Sequence, residues 1–163
     1  MRPLLATLAC VLGALALVQP VSARPGAVDE VVVPEPGALA LRWPARGTLT
    51  DGFGPRWGRM HLGLDVGILR SLDVTAATHG HVTNVGWLGG YSGYGQVVMV
   101  DIGEGFETMY AHLSRIDVEP GAWVAKGERL GLAGCTGSCT GTHLHFELHR
   151  GGTPIDPMPF LSR

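Results

Sequence analysis

From Arg42 onward the chain alternates apolar and polar residues in short runs separated by glycine. The runs are Thr48 to Thr50, Val82 to Trp87, Gln96 to Asp101, Glu107 to Leu113, Leu130 to Ala133 and His143 to Leu148. A period of two reads as strand, and regular short strands between glycine turns predict an all-β fold. The expected architecture is mostly antiparallel, a sandwich or open barrel-like sheet with glycine-rich loops. No helix longer than a turn or two and no repeat array is expected.

The N-terminus follows a different pattern. Met1-Arg2-Pro3 is a short basic start, Leu4 to Val18 is apolar, and Val21-Ser22-Ala23 fits a small-residue cleavage site, so residues 1–23 read as a secretory signal peptide. The apolar run is shorter than the roughly 20 residues a spanning helix needs. Residues 24–41 hold three prolines without helical period and read as an extended linker. Residues 42–160 are then one domain, exported to the cell envelope or beyond it and expected to be monomeric, with no membrane span once the signal is cleaved.

Composition narrows the partners. The chain has 163 residues, 16% of them charged, with a formal net charge of −2 and no Lys/Arg cluster, which argues against nucleic acid. Cys10 leaves with the signal peptide. Cys135 and Cys139 remain, an even count in an oxidising compartment, and predict a local disulfide. A thiolate zinc site would show a tighter pair and a second pair elsewhere.

Seven histidines are many for this length. In Thr142-His143-Leu144-His145-Phe146-Glu147-Leu148, alternation sends Leu144, Phe146 and Leu148 to the core and places His143, His145 and Glu147 on the opposite face. Two imidazoles two residues apart converge on one ion, or place one on the metal and one beside it; a solvated polar face is the plain alternative. His61-Leu62-Gly63-Leu64-Asp65 pairs an imidazole with a carboxylate, and Gly63 is read as letting the backbone bend so that both reach one ion. In Met109-Tyr110-Ala111-His112-Leu113, Tyr110 and His112 are read on one face. Catalytic zinc sites use three protein ligands and leave a position open. His61, Asp65 and one of His143 and His145 supply that count, with the other histidine and His112 left for proton handling. His79-Gly80-His81 lacks an acidic partner and reads as surface, and His149, at the end of the strand, is expected to face solvent. There is no His-Glu-x-x-His helix and no Gly-x-Ser-x-Gly elbow.

Across Trp43 to Pro157 these residues resemble the lysostaphin-type (LytM-like) zinc endopeptidases, which cut bacterial cell-wall peptides. The resemblance rests on Phe53-Gly54-x-Arg56, His61-x-Gly63-x-Asp65-Val66, Gly93-Tyr94-Gly95, Tyr110-Ala111-His112-Leu113 and Thr140-Gly141-Thr142-His143-Leu144-His145-Phe146-Glu147. It implies a sheet of the duplicated-hybrid-motif kind and one Zn2+ per domain, held by His61, Asp65 and His145. It also implies that His112 and His143 are catalytic, beside the attacking water and the scissile carbonyl; Tyr110 is read either as a support for one of them or as a strand residue packed at the sheet edge.

The activity so implied is hydrolysis of peptidoglycan stem or cross-bridge peptides. Zinc brings the pKa of a bound water to about 7. His143 is assigned as general base and His112 as stabiliser of the oxyanion, two roles open to exchange. Trp57, Trp87, Tyr91 and Tyr94 are read as cleft rim or barrel cap, and Arg56 as a substrate clamp or a structural ion pair. Direct D-alanyl cross-links are favoured over oligoglycine bridges, because the sequence shows no wall-binding module. One alternative is a catalytically inactive relative that binds the envelope or activates an amidase, for which a missing ligand is expected. A phosphocarrier is a second alternative, against which the signal peptide and Asp65 both count.

Overall fold

The computed structural model describes residues 39–162. The signal-peptide reading and most of the linker lie outside the described residues. Alternation yields strands throughout: β1 (Leu41–Arg42), β2 (Thr48–Asp51), β3 (Gly54–Arg56), β4 (Arg59–His61), β5 (Leu64–Gly67), β6 (Asp73–Thr75) and β7 (Gly80–Trp87). They continue with β8 (Gln96–Gly103), β9 (Phe106–Ile116), β10 (Trp123–Val124), β11 (Arg129–Ala133), β12 (Leu144–Arg150), β13 (Thr153–Ile155) and β14 (Leu161–Ser162). The only helical elements among the described residues are single 3-10 turns at Ser92–Tyr94 and Met158–Phe160. The fold is all-β and mostly antiparallel, as expected.

The main sheet runs β10-β7-β8-β9-β12-β5-β2, with β11 joined to β9 and β6, and β13 to β12. Every pair in it is antiparallel; β1 and β14 pair in parallel, and β3 and β4 form a separate hairpin. One face carries the main core, where Val98, Val100, Tyr110, Leu113, Leu144, Phe146 and Leu148 interlock. On the other face Val97, Met99, Met109 and Ala111 form a smaller cluster under Leu88, Tyr91 and Tyr94. His145, Glu147 and His149 occupy that second face, because their neighbours in β12 take the core positions.

A β-bulge in β9 sets the geometry of the site. Gln96 pairs with Leu113 and Val98 with Tyr110, so Ala111 and His112 together oppose the single residue Val97. His112 takes up the extra residue with φ of 61°, a left-handed conformation. Alternation inverts there: Tyr110 and Leu113 both enter the main core, while His112 turns to the opposite face. The expectation that Tyr110 and His112 share a face is thereby corrected. Tyr110 is fully buried against Phe146, its hydroxyl accepts the Ala77 N–H at 2.8 Å, and burial pushes its pKa up to about 12. Its place is the core, and it has no contact with the cleft.

Candidate metal centre and cleft

Three elements bring His61, Asp65 and His145 together. Asp65 on β5 is the cross-strand partner of His145 on β12, and His61 arrives from the end of β4, across Leu62 and Gly63. A Cβ at Gly63 would run into the Phe146 carbonyl oxygen and lie 3.0 Å from His145 Nε2. Gly63 is therefore required because two strands approach closely. The backbone also bends at Gly63, as expected, without entering the left-handed range.

One ligand atom from each of the three residues falls within 4.8 Å of the others. Asp65 Oδ1 lies 3.2 Å from His61 Nε2 and 2.8 Å from His145 Nδ1, and the two nitrogens are 3.1 Å apart. The opposite ring nitrogens explain why these atoms face inward. His61 Nδ1–H donates to the Gly52 carbonyl at 2.7 Å, and His145 Nε2–H donates to Glu147 Oε1 at 2.8 Å. A carbonyl and a carboxylate only accept, so each histidine is fixed in the tautomer that turns a lone pair inward. Two imidazole lone pairs and a carboxylate oxygen then meet with no donor between them. A proton on His145 Nδ1 would satisfy Asp65 but leave His61 Nε2 facing other acceptors, whereas a divalent cation satisfies all three. Nitrogen and oxygen donors of this kind suit zinc.

Two further histidines border the centre. His143 Nδ1–H donates to the Gly141 carbonyl at 2.7 Å, and its Nε2 is 3.7 Å from Asp65 Oδ1. His112 Nδ1–H donates to the Thr136 carbonyl at 2.8 Å, and its ring centroid is 4.7 Å from that of His143. All five predicted site residues line one cleft of about 430 Å³, a volume typical of a ligand site. The β3–β4 hairpin, with Arg56, Trp57, Arg59 and Met60, forms one wall; Gly93, Tyr94, Ser138, Cys139 and Thr140 form the other. Trp57 is 88% exposed at the tip of the hairpin. Arg56 pairs with Asp51 and lies 3.6 Å from Asp65 Oδ2, which occupies that oxygen and leaves Oδ1 to the centre.

The electrostatics agree with the hydrogen bonding. Burial alone would raise the Asp65 pKa, but the hydrogen bond to His145 and the histidine charges outweigh it and hold the carboxyl below its usual range. Burial opposes a charge on His145, yet Asp65 and Glu147 together pull its pKa above the ordinary value. For His112, burial dominates, reinforced by His143 and His145, and lowers the pKa. Glu147 is buried, but donors from His145, His149 and Tyr94 hold it down to about 2, so it is an anion.

Some of these partners were not foreseen. His149 was expected to face solvent; it is buried, 6% exposed, and its Nε2–H donates to Glu147 Oε2. The alternation that placed His143, His145 and Glu147 on one face extends to His149 and could have found it. No sequence signal pointed to the Gly52 or Thr136 carbonyls. His79 and His81 are exposed and pack on Trp123, away from the cleft, and Trp87 is 63% exposed outside it. Cys135 and Cys139 form a disulfide with Cα atoms 5.3 Å apart, in the loop before β12.

With this geometry in hand, the match to known proteins is specific. Residues 59–157 match Peptidase family M23. The chain belongs to that family. The lysostaphin-type resemblance carried by the motifs therefore holds. The DD-carboxypeptidase/endopeptidase Mpg of Neisseria meningitidis is 40% identical over 137 residues, covering 80% of this chain and 31% of Mpg. The murein hydrolase activator EnvC of Escherichia coli is 32% identical over 127 residues, 74% of this chain and 29% of EnvC. A zinc-containing peptidase from Vibrio cholerae superposes with a TM-score of 0.65 at 29% identity, over 76% of this chain and 40% of the other. The chain spans 21% to 44% of the length of the first curated relatives it matches. No helix among the described residues is long and apolar enough to cross a membrane.

Proposed function

We propose that this protein is an exported zinc-dependent endopeptidase that hydrolyses peptide cross-links of bacterial peptidoglycan. The observation that carries the reading is the convergence of His61 Nε2, Asp65 Oδ1 and His145 Nδ1, each aimed by a partner on its far side. In this reading those three residues hold one Zn2+. When bound, zinc polarises the scissile carbonyl and acidifies a water.

The remaining chemistry falls to the protein. His143 is the general base, since its Nδ1 is fixed as a donor to Gly141 and its free Nε2 faces the cleft. Asp65, 3.7 Å away, stabilises the imidazolium that forms, and the proton held at Nε2 is then available to the leaving amine. His112 is the second catalytic histidine. Burial keeps it neutral, with Nδ1–H on Thr136 and Nε2 bare, so it can donate to an oxyanion only after taking up a proton. The cleft walls, with Trp57 on one side and Tyr94 on the other, hold an extended peptide across the histidines.

EnvC is described as a murein hydrolase activator, so similarity alone also fits a non-hydrolytic role. The complete ligand set favours catalysis. The test is incubation of purified protein with cross-linked muropeptides of D-alanyl and oligoglycine type, with and without a chelator, read by mass spectrometry. Cleavage should stop on chelation and return with zinc. Cleavage that persists after zinc removal overturns the mechanism, and absence of cleavage with stimulation of an amidase assigns the activator role.

A further inference from the structure

His145 sits between two carboxylates, and in the neutral ring that can ligate a metal only one of them can own its single proton. Asp65 Oδ1 is 2.8 Å from Nδ1, and Glu147 Oε1 is 2.8 Å from Nε2. If the proton sits on Nδ1 it goes to Asp65, and the lone pair then points away from the centre. If it sits on Nε2 it goes to Glu147, and Nδ1 is free to face His61 and Asp65. Which tautomer wins depends on how firmly Glu147 is presented as an acceptor.

Glu147 is 1% exposed, so it has no water to orient it. Two side chains do so instead: the Tyr94 hydroxyl donates to Oε1 at 2.8 Å, and His149 Nε2–H donates to Oε2. His149 is itself buried and does not line the cleft, so it cannot touch substrate. Its position on β12, four residues after His145, places it on the same sheet face beyond Glu147.

We propose that His149 is a positioning residue: with Tyr94 it pins Glu147 beneath His145, so that the proton of His145 stays on Nε2 and Nδ1 is presented to the metal site. The inference rests on the zinc reading of that site for its effect on the metal, but the tautomer it assigns can be read without metal. Losing the His149 donor leaves one oxygen of a buried carboxylate unpaired, an outcome Glu147 avoids by rotating. That rotation weakens its hold on Nε2–H and lets Asp65 capture the proton at Nδ1.

The experiment compares wild-type protein with His149→Leu, His149→Gln and Tyr94→Phe. Long-range 1H–15N spectra of the metal-free proteins, recorded at alkaline pH where the His145 ring holds one proton, report its tautomer, assigned by loss of its signals in His145→Gln. Competition with a chromogenic chelator reports zinc affinity, and thermal unfolding reports the fold. Wild type should show Nε2–H; His149→Leu should shift toward Nδ1–H and bind zinc about 10- to 100-fold more weakly, the usual loss for an outer partner of a ligand. His149→Gln restores a donor and should stay within about threefold of wild type. A merely structural role lowers the melting temperature but leaves tautomer and affinity unchanged, and that result in a folded His149→Leu protein overturns the proposal. Should His149→Leu fail to fold, Tyr94→Phe decides, because it removes the other donor at a half-buried position. The same tautomer shift is then expected, and an unchanged tautomer sinks the idea. If wild type binds no zinc, the metal reading fails, while the metal-free tautomer still tests the positioning role.

Discussion

The Thr136 carbonyl accepts the Nδ1–H of His112, and Thr136 lies inside the short loop closed by the Cys135–Cys139 disulfide. The loop is also fastened on both sides. Thr136 Oγ1 donates to the Leu113 carbonyl at 2.9 Å and accepts the Gln96 N–H at 3.0 Å, and the Ser138 N–H donates to the Gly93 carbonyl at 2.8 Å. The disulfide thus restrains the segment that fixes the tautomer of one catalytic histidine and leads into the strand of the other.

Removing the disulfide should therefore affect turnover more than metal binding. In Cys135→Ser/Cys139→Ser, loss of a loop this short costs roughly 2 kcal/mol of stability. A misplaced imidazole lowers kcat by about tenfold or more. None of the three proposed zinc ligands lies in the loop, so zinc content should stay at the wild-type level. Turnover and metal analysis on the same preparation check this; equal loss of zinc and kcat would mean the loop acts on the metal centre.

Much of this was legible in the sequence because it follows from period two. The strand assignments and the shared face of His143, His145 and Glu147 all come from alternation in β12 and its neighbours. The face of Tyr110 was misread because a bulge leaves no mark in the alternation, and φ at His112 is set by tertiary packing that favours a residue poorly suited to it. His149 faces inward because β12 runs on to Arg150, so His149 lies within the sheet, paired with Glu107 of β9 on one side and Pro154 of β13 on the other, rather than at a wet strand end. Backbone acceptors such as Gly52 depend on which loop lies nearby, and no residue identity encodes that.

The left-handed backbone at His112 carries a stability signature. A non-glycine residue there costs about 1–2 kcal/mol, which glycine avoids. His112→Gly should therefore be about 1 kcal/mol more stable than His112→Ala, the reverse of the usual order in a strand. Both variants should lose roughly 100- to 10,000-fold in kcat, the range for a missing acid–base group. Urea unfolding compares the two, and an alanine variant as stable as the glycine variant contradicts the bulge.

Close approach at Gly63 predicts a steep cost for the smallest addition. Gly63→Ala places a methyl group against the Phe146 backbone and 2.8 Å from Glu147 Cγ, atoms held by the sheet. Overpacking of this kind costs about 1–3 kcal/mol. Because the same methyl presses on His145, zinc affinity should fall with stability. Gly89→Ala is the control: nothing lies within 4 Å of its added Cβ, and it should stay within about 0.5 kcal/mol of wild type. Chelator competition and denaturant melts on both variants make the comparison.

The chain holds two His-x-His pairs of identical spacing, and their surroundings separate them. His145 is buried, 5% exposed, with carboxylates on either side of its ring, whereas His81 is exposed and meets only the edge of Trp123 at 4.7 Å between centroids. His145→Ala should abolish zinc retention and reduce cleavage to background, and it leaves Glu147 a buried anion lacking one donor, so a loss of about 1–3 kcal/mol should accompany it. His81→Ala removes one aromatic contact at the surface and should keep zinc, cleavage and melting temperature near wild-type values. Zinc stoichiometry and cleavage rate measured side by side decide the matter. Comparable losses in the two variants would place the functional metal elsewhere, since no burial or ligand geometry at His81 can account for them.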